Sequence, residues 1–184
     1  MSTSIMSPPN VLIPEHAAAW TLQQWYAVYT RSRHEKIAAE ELQSKQIQVY
    51  LPCRRIERQW SDRVKLIDEP LFPGYVFVNV SLSDRWNVLK SRGVVKFIGA
   101  SAASPTPVLD SEITTLRKFF QEDIQVDPYP YLREGQKVYV RSGPFKGVEG
   151  FVVRKSSVSR LVISLDILMQ SVSIEINPAL LECL

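Results

Sequence analysis

Few side chains in this sequence are placed for covalent chemistry. It has no Gly-x-Ser-x-Gly elbow, no phosphate-cradling Gly-rich loop and no His/Asp pair at a recognisable spacing. Cys53 follows Pro52 in an extended run and reads as a small core residue. His34, beside Glu35 near a helix start, reads as a surface polar contact rather than a base. Cys53 and Cys183 lie far apart, as do His16 and His34, which speaks against a disulfide framework and against a Cys/His zinc site. No catalytic group, cofactor or metal is expected.

Binding chemistry is better represented. Arg31, Arg33 and Lys36 flank the start of the first helix, and Arg54, Arg55, Arg58, Arg63 and Lys65 cluster further on. Fixed cations of this kind suit phosphates, although Glu57 and Asp62 offset part of the charge. The aromatics Trp25, Tyr26, Tyr29, Phe72, Tyr75, Phe77, Trp86 and Phe97 lie in or beside one group of strands. Strand alternation forbids them all facing one side, so some form a core and others can line an apolar patch for a partner.

The elements that must position these residues can be read from pattern. The 184 residues carry a net charge of +3 and 45% hydrophobic residues, so wholesale disorder is not expected. No apolar run approaches the roughly 20 residues of a membrane span, and the first twenty residues contain no Lys or Arg, so neither a membrane anchor nor a secretory leader is expected. Residues 1–23 read as a disordered tail. WYAVYT (25–30) reads as a strand, and a helix follows with Ile37, Ala38, Glu41, Leu42 and Lys45 in register. Residues 48–60 and 64–70 read as two arms around a turn at 61–63, and 71–80 as a core strand. Ser81 and Asp84 resemble a capping box before a helix with Leu82, Trp86 and Leu89 on one face. Gly93 sits at its C-terminal end, and VVKFIG (94–99) reads as a strand. After a loop at 100–107 comes a helix with Ile113, Leu116 and Phe120 aligned. The order suits an α+β split β-α-β fold, a four-stranded antiparallel sheet with helices on one face, over 24–122. Residues 123–132 read as a Pro-stiffened linker. Residues 133–184 show short alternating strands, separated by Gly143-Pro144, Ser156-Ser157 and a break near Met169-Gln170, that suit a small five-stranded SH3-like β-barrel.

The motif Phe72-Pro73-Gly74-Tyr75, set within EPLFPGYVFV and joined by WYAVYTRSRHEK and RGVVKFIG, resembles the N-terminal NGN domain of the NusG family of transcription elongation factors. The segment EGQKVYVRSGPFKGVEGFVVRK (134–155), with Gly147 at the characteristic glycine, resembles a KOW motif. The resemblance spans about residues 24–184. It implies a cytoplasmic, non-enzymatic factor that binds the β′ clamp helices of RNA polymerase and suppresses pausing. The residues matching the polymerase cavity are Trp25, Phe72, Pro73 and Tyr75, with Tyr29 and Phe97 beside them. Arg31, Arg33, His34 and Arg92 are the expected contacts to non-template DNA or nascent RNA. The resemblance also implies a second partner for the KOW domain, either Rho or a small-subunit ribosomal protein. Leu168-Met169 stands where housekeeping members often carry Phe-Gly. That difference, with RQWSDR and SRHEK, resembles the specialised antiterminators of the RfaH or UpxY kind that serve a particular long operon. A general NusG-type factor is the alternative reading, and a KOW-type ribosome-associated RNA-binding protein is the alternative of another class. The turn residues and frequent valines of 133–184 favour a constitutive, loosely tethered barrel over an autoinhibitory helical hairpin.

Overall fold

Alternation along Gln24–Thr30 sends Trp25 and Ala27 to one side and Tyr26 and Val28 to the other, and all four are buried. A strand apolar on both sides must lie inside a sheet that is covered twice. The computed structural model describes residues 21–60, 63–101, 104–121, 124–132, 135–155 and 158–184, and it places this segment as strand β1 (Gln24–Thr30). Helix α1 (Glu35–Ser44), β2 (Gln48–Tyr50), β3 (Cys53–Gln59), β4 (Val64–Pro70) and β5 (Tyr75–Val80) follow. A 3-10 turn at Leu82–Asp84 leads into α2 (Arg85–Leu89), then β6 (Val94–Phe97), β7 (Gly99–Ser101), β8 (Ser104–Pro105), β9 (Pro107–Val108) and α3 (Asp110–Gln121). Beyond it the described elements are β10 (Asp127–Tyr129), β11 (Gln136–Val140), β12 (Glu149–Lys155), β13 (Val158–Leu165), β14 (Gln170–Glu175) and β15 (Leu181–Cys183), with 3-10 turns at Asp166–Leu168 and Pro178–Leu180. The fold is mixed α+β. The expected tail falls mostly on residues 1–20, and those residues, the tip of the expected turn at 61–62 and the break at Ser156-Ser157 lie outside the described residues.

The first sheet is antiparallel in the order β2-β5-β1-β6, with β9 also paired to β1. Ala27 stands opposite Phe77, and Tyr29 opposite Tyr75. One face carries Trp25, Ala27, Phe77 and Val108 and packs on Ile113, Leu116 and Phe119 of α3. The other carries Tyr26, Val28, Val76, Val78 and Phe97 and packs on Ala39 and Leu42 of α1 and Val88 of α2. The expectation of helices on one face is therefore corrected: both faces are apolar, and helices cover both.

Several local readings also shift. Residues 48–60 do not form one arm. Val49 and Tyr50 pair with β5, the chain breaks at Leu51-Pro52, and β3 then pairs with β4 alone. The buried side of α1 is Glu35, Ala38, Ala39 and Leu42, leaving Ile37 exposed. In α2 the buried residue is Val88, and Trp86 is 58% exposed. In α3 Phe119 is the fully buried ring rather than Phe120. Glu112 Oε2 accepts the Leu109 N–H at 3.0 Å, the return half of a capping box that fixes where α3 begins.

The second sheet runs β10-β14-β13-β12-β11-β15 and is β throughout. Residues 123–132 were expected as linker, yet Asp127–Tyr129 pairs with Ser171–Ser173 as a sixth strand. Nor is the barrel loosely tethered. Phe145, in the turn after β11, meets Phe119 edge to face at 5.2 Å between centroids. Asp127 takes Arg160 at 3.4 Å and Arg54 of β3 at 3.7 Å. Leu116 is fully buried under this arrangement, and Leu66 is 59% exposed. Leu116→Ala should cost about 2–5 kcal/mol of unfolding free energy, whereas Leu66→Ala should stay within about 0.5 kcal/mol, as read by denaturant titration.

Candidate functional site

Several turns meet at one end of the first sheet. The Thr30 N–H donates to the Gly74 carbonyl at 2.8 Å, and the Arg31 N–H donates to the Gly93 carbonyl at 2.7 Å. Gly74 and Gly93 both have left-handed backbones, φ +84° and +88°, where a side chain is strained. A Cβ on Gly93 would lie 2.8 Å from the Cβ of His34, so this glycine lets the α2–β6 turn press against the start of α1.

Glu35 fixes the junction. It is 7% exposed, and its Oε1 accepts the Gly74 N–H at 2.7 Å, tying the Phe72-Pro73-Gly74 turn to the first residue of α1. Its place in the first turn of a helix also suits a carboxylate. The sequence reading passed over Glu35; a lone acid after a basic run carries no signal for burial. Arg33, at φ +60°, turns the chain into the helix, and the Nδ1 of His34 lies 2.9 Å from the Ser32 carbonyl.

The basic candidates converge here. Arg31, Arg33 and Arg92 are exposed and His34 is half-buried. The Arg92 N–H donates to Glu41 Oε2 at 2.8 Å. The Lys45 ammonium first, and then this Arg92 contact, hold the Glu41 carboxyl below its ordinary range.

The aromatic candidates separate into layers. Tyr29 and Tyr75 stand edge to face at 5.6 Å, with Tyr29 39% exposed, Tyr75 half-buried and Pro73 exposed beside them. Phe72 is 1% exposed and packs edge-on to Phe77 at 5.9 Å, which in turn stacks with Tyr50 at 6.2 Å. Trp25 is 4% exposed. Arg117 of α3 lies 5.0 Å from the Trp25 ring and 5.2 Å from Tyr50, a cation held between two rings that the sequence reading did not foresee. Burial pushes the Tyr50 hydroxyl well above its ordinary range, against the pull of Arg117. Phe97 does not join this group: it lies on the opposite face, edge-on to Tyr26 at 5.8 Å. In the barrel, Leu168 is buried, while Met169 is 67% exposed with a left-handed backbone at φ 51°.

Glu35→Ala should leave the Gly74 N–H buried without an acceptor, at a cost of about 1–3 kcal/mol. Glu35→Gln keeps an oxygen acceptor and should recover most of it. Denaturant unfolding, with hydrogen exchange at the Gly74 amide, reads both.

Comparison with known proteins agrees with this arrangement. A family model described as transcription termination factor nusG matches residues 23–117, which hold every strand of the first sheet and the whole loop junction. The transcription termination/antitermination protein NusG of Neisseria meningitidis serogroup B is 30% identical over 142 residues, covering 71% of this chain and 80% of that protein. The protein of the same name from Borreliella burgdorferi is 24% identical over 177 residues, covering 83% of this chain and 94% of that protein. A solved structure of NusG from Thermotoga maritima shares the fold, with a TM-score of 0.53 at 22% identity over 87% of this chain and 96% of that one. The family match covers the sheet and the junction of turns described above, and the chain belongs to the NusG family.

Proposed function

We propose that this protein is a cytoplasmic transcription elongation and antitermination factor that binds RNA polymerase at the β′ clamp helices, suppresses pausing and keeps transcription processive. The observation that carries the reading is the half-exposed Tyr29–Tyr75 pair beside Pro73, with Phe72 and Phe77 buried edge to face in the core. Aromatic anchors already held by packing lose little side-chain freedom on binding. In this reading Tyr29, Pro73 and Tyr75 touch the polymerase. Trp25 and Phe72 belong to the core, and Phe97 lies on the opposite face of β1.

Tyr75→Ala should weaken binding to core polymerase at least about tenfold while the protein stays folded. Phe72→Ala should instead unfold the protein more easily by about 3–5 kcal/mol, because its ring is core. Biolayer interferometry on folded variants checks the pair; unchanged affinity in Tyr75→Ala removes the assignment.

Arg31, Arg33, His34 and Arg92 form the nucleic-acid side of the same end, offered to exposed non-template DNA or nascent RNA in the elongation complex. Joint reversal of Arg31, Arg33 and Arg92 to Glu should abolish crosslinking to the non-template strand and flatten its salt dependence. Equal crosslinking with an equal salt slope would show that the strand runs elsewhere.

Service to one long operon, as in the specialised antiterminators, is supported by the barrel tip. There Met169 offers a flexible thioether where the housekeeping pattern has Phe-Gly, and Leu168 is withdrawn into the core. The names of the relatives support the general reading. In that reading Rho or a small-subunit ribosomal protein is the second partner. Pull-down of Rho against ribosomal subunits by the full chain separates these readings.

A further inference from the structure

Strands β3 and β4 pair only with each other among the described residues, forming a two-stranded arm apart from both large sheets. Near its base the charges are matched. Arg54 meets Glu69 at 2.9 Å, and Arg55 meets Asp68 at 3.5 Å. Toward the tip the matching fails. Arg58 stands directly opposite Lys65, a like-charged cross-strand pair that is unfavourable by itself. The carboxylate that Arg58 reaches is Glu69, at 3.4 Å, which is already engaged by Arg54.

The next position on that face pairs an aromatic with a cation. The Trp60 N–H donates to the Arg63 carbonyl at 2.8 Å, so Trp60 and Arg63 close the hairpin opposite each other. Alternation puts Trp60 on the side of Arg58, and Arg63 on the side of Lys65. Glu57 and Asp68 fall on the other side, together with the exposed Val64 and Leu66. The distal face therefore sets Arg58, Arg63 and Lys65 around an indole that is 54% exposed.

We propose that this face is a second nucleic-acid contact, separate from the loop junction, which holds the phosphates of a single strand on Arg58, Arg63 and Lys65 and stacks a base on Trp60. Cations flanking an exposed ring are what a single strand requires: charges that follow the backbone and an aromatic plane for an unpaired base. A polyanion also relieves the repulsion between Arg58 and Lys65. A protein partner drawn by apolar area would favour the Val64–Leu66 side instead. The proposal stands independently of polymerase binding and can be read on the isolated protein.

Fluorescence anisotropy of the full chain with labelled oligo-dT, and with a duplex of the same length, across a salt series tests it. Arg58→Gln with Lys65→Gln should weaken oligo-dT binding several-fold at low salt and shrink the salt slope by about 1.4, the share of two phosphate contacts on a single strand. Trp60→Ala should weaken binding about fivefold or more with the slope unchanged. Circular dichroism should show both variants folded, since the altered side chains are exposed. Arg31→Glu with Arg33→Glu should leave the Trp60-dependent part of the binding in place. Undetectable oligo-dT binding by the wild type at low salt would overturn the proposal. So would wild-type affinity in the hairpin variants, or a preference for duplex that Trp60→Ala does not alter.

Discussion

The pairing of β1 with β5 places apolar side chains on both sides of one sheet, and every other element must answer to that. Ala27 opposite Phe77 faces α3, while Tyr26 opposite Val78 faces α1 and α2. Water on either face would expose aromatic and branched surface worth about 25 cal/mol per Å². Short α1 and α2 cover one face. The other falls to α3, which reaches it only after the chain has crossed the sheet edge through β6 to β9. Phe119 of α3, packed in the same core, also meets Phe145 of the barrel edge to face. One strand pair thus accounts for the helices on both faces and for the seat of the barrel.

Covering both faces leaves the end of the sheet as the place where function can be displayed. The turns there are held by hydrogen bonds of their backbone groups. Thr30 and Arg31 donate to Gly74 and Gly93, and Glu35 takes the Gly74 N–H. Such bonds fix Pro73 and Tyr75 relative to Tyr29 without spending the exposed groups themselves. The gradation of burial follows. Phe72 before the glycine points inward, and Tyr75 after it only half so, because the left-handed turn at Gly74 reverses the chain between them.

Much of this was legible in the sequence for a physical reason: β1, β5, β6 and α3 have strong periodicity and clear bounding residues. The FPGY and KOW motifs carried the family, whereas Gly93, expected at the helix C-cap, lies three residues past the cap at Lys90, in the turn before β6. What was not legible depends on tertiary partners. Ile37 and Trp86 look like core residues by spacing, but each helix is rotated so that Ala39 and Val88 meet the sheet. Glu35 is ordinary in sequence and becomes central only because Gly74, distant in the chain, brings it an N–H. Arg117 is one charge among many until Trp25 and Tyr50 flank it. Asp127–Tyr129 looked like linker because Pro128 removes a donor, yet an edge strand tolerates that loss.

The seat of the barrel also sorts what its partners can reach. Phe145 is 5% exposed against α3, so a partner that needs this ring must displace it from Phe119. Met169 is 67% exposed and can be touched with the barrel in place. At the other end of the chain Tyr29 remains exposed while α3 and the barrel are together, and Arg54 joins the arm to Asp127 near the base of the hairpin, away from its tip. A contact at the Tyr29–Tyr75 end therefore does not require the barrel to leave. Breaking the Phe119–Phe145 contact would open only the surface around α3. Two links join the first sheet region to the barrel: α3, which packs on the sheet and meets Phe145, and the Arg54–Asp127 pair between β3 and β10.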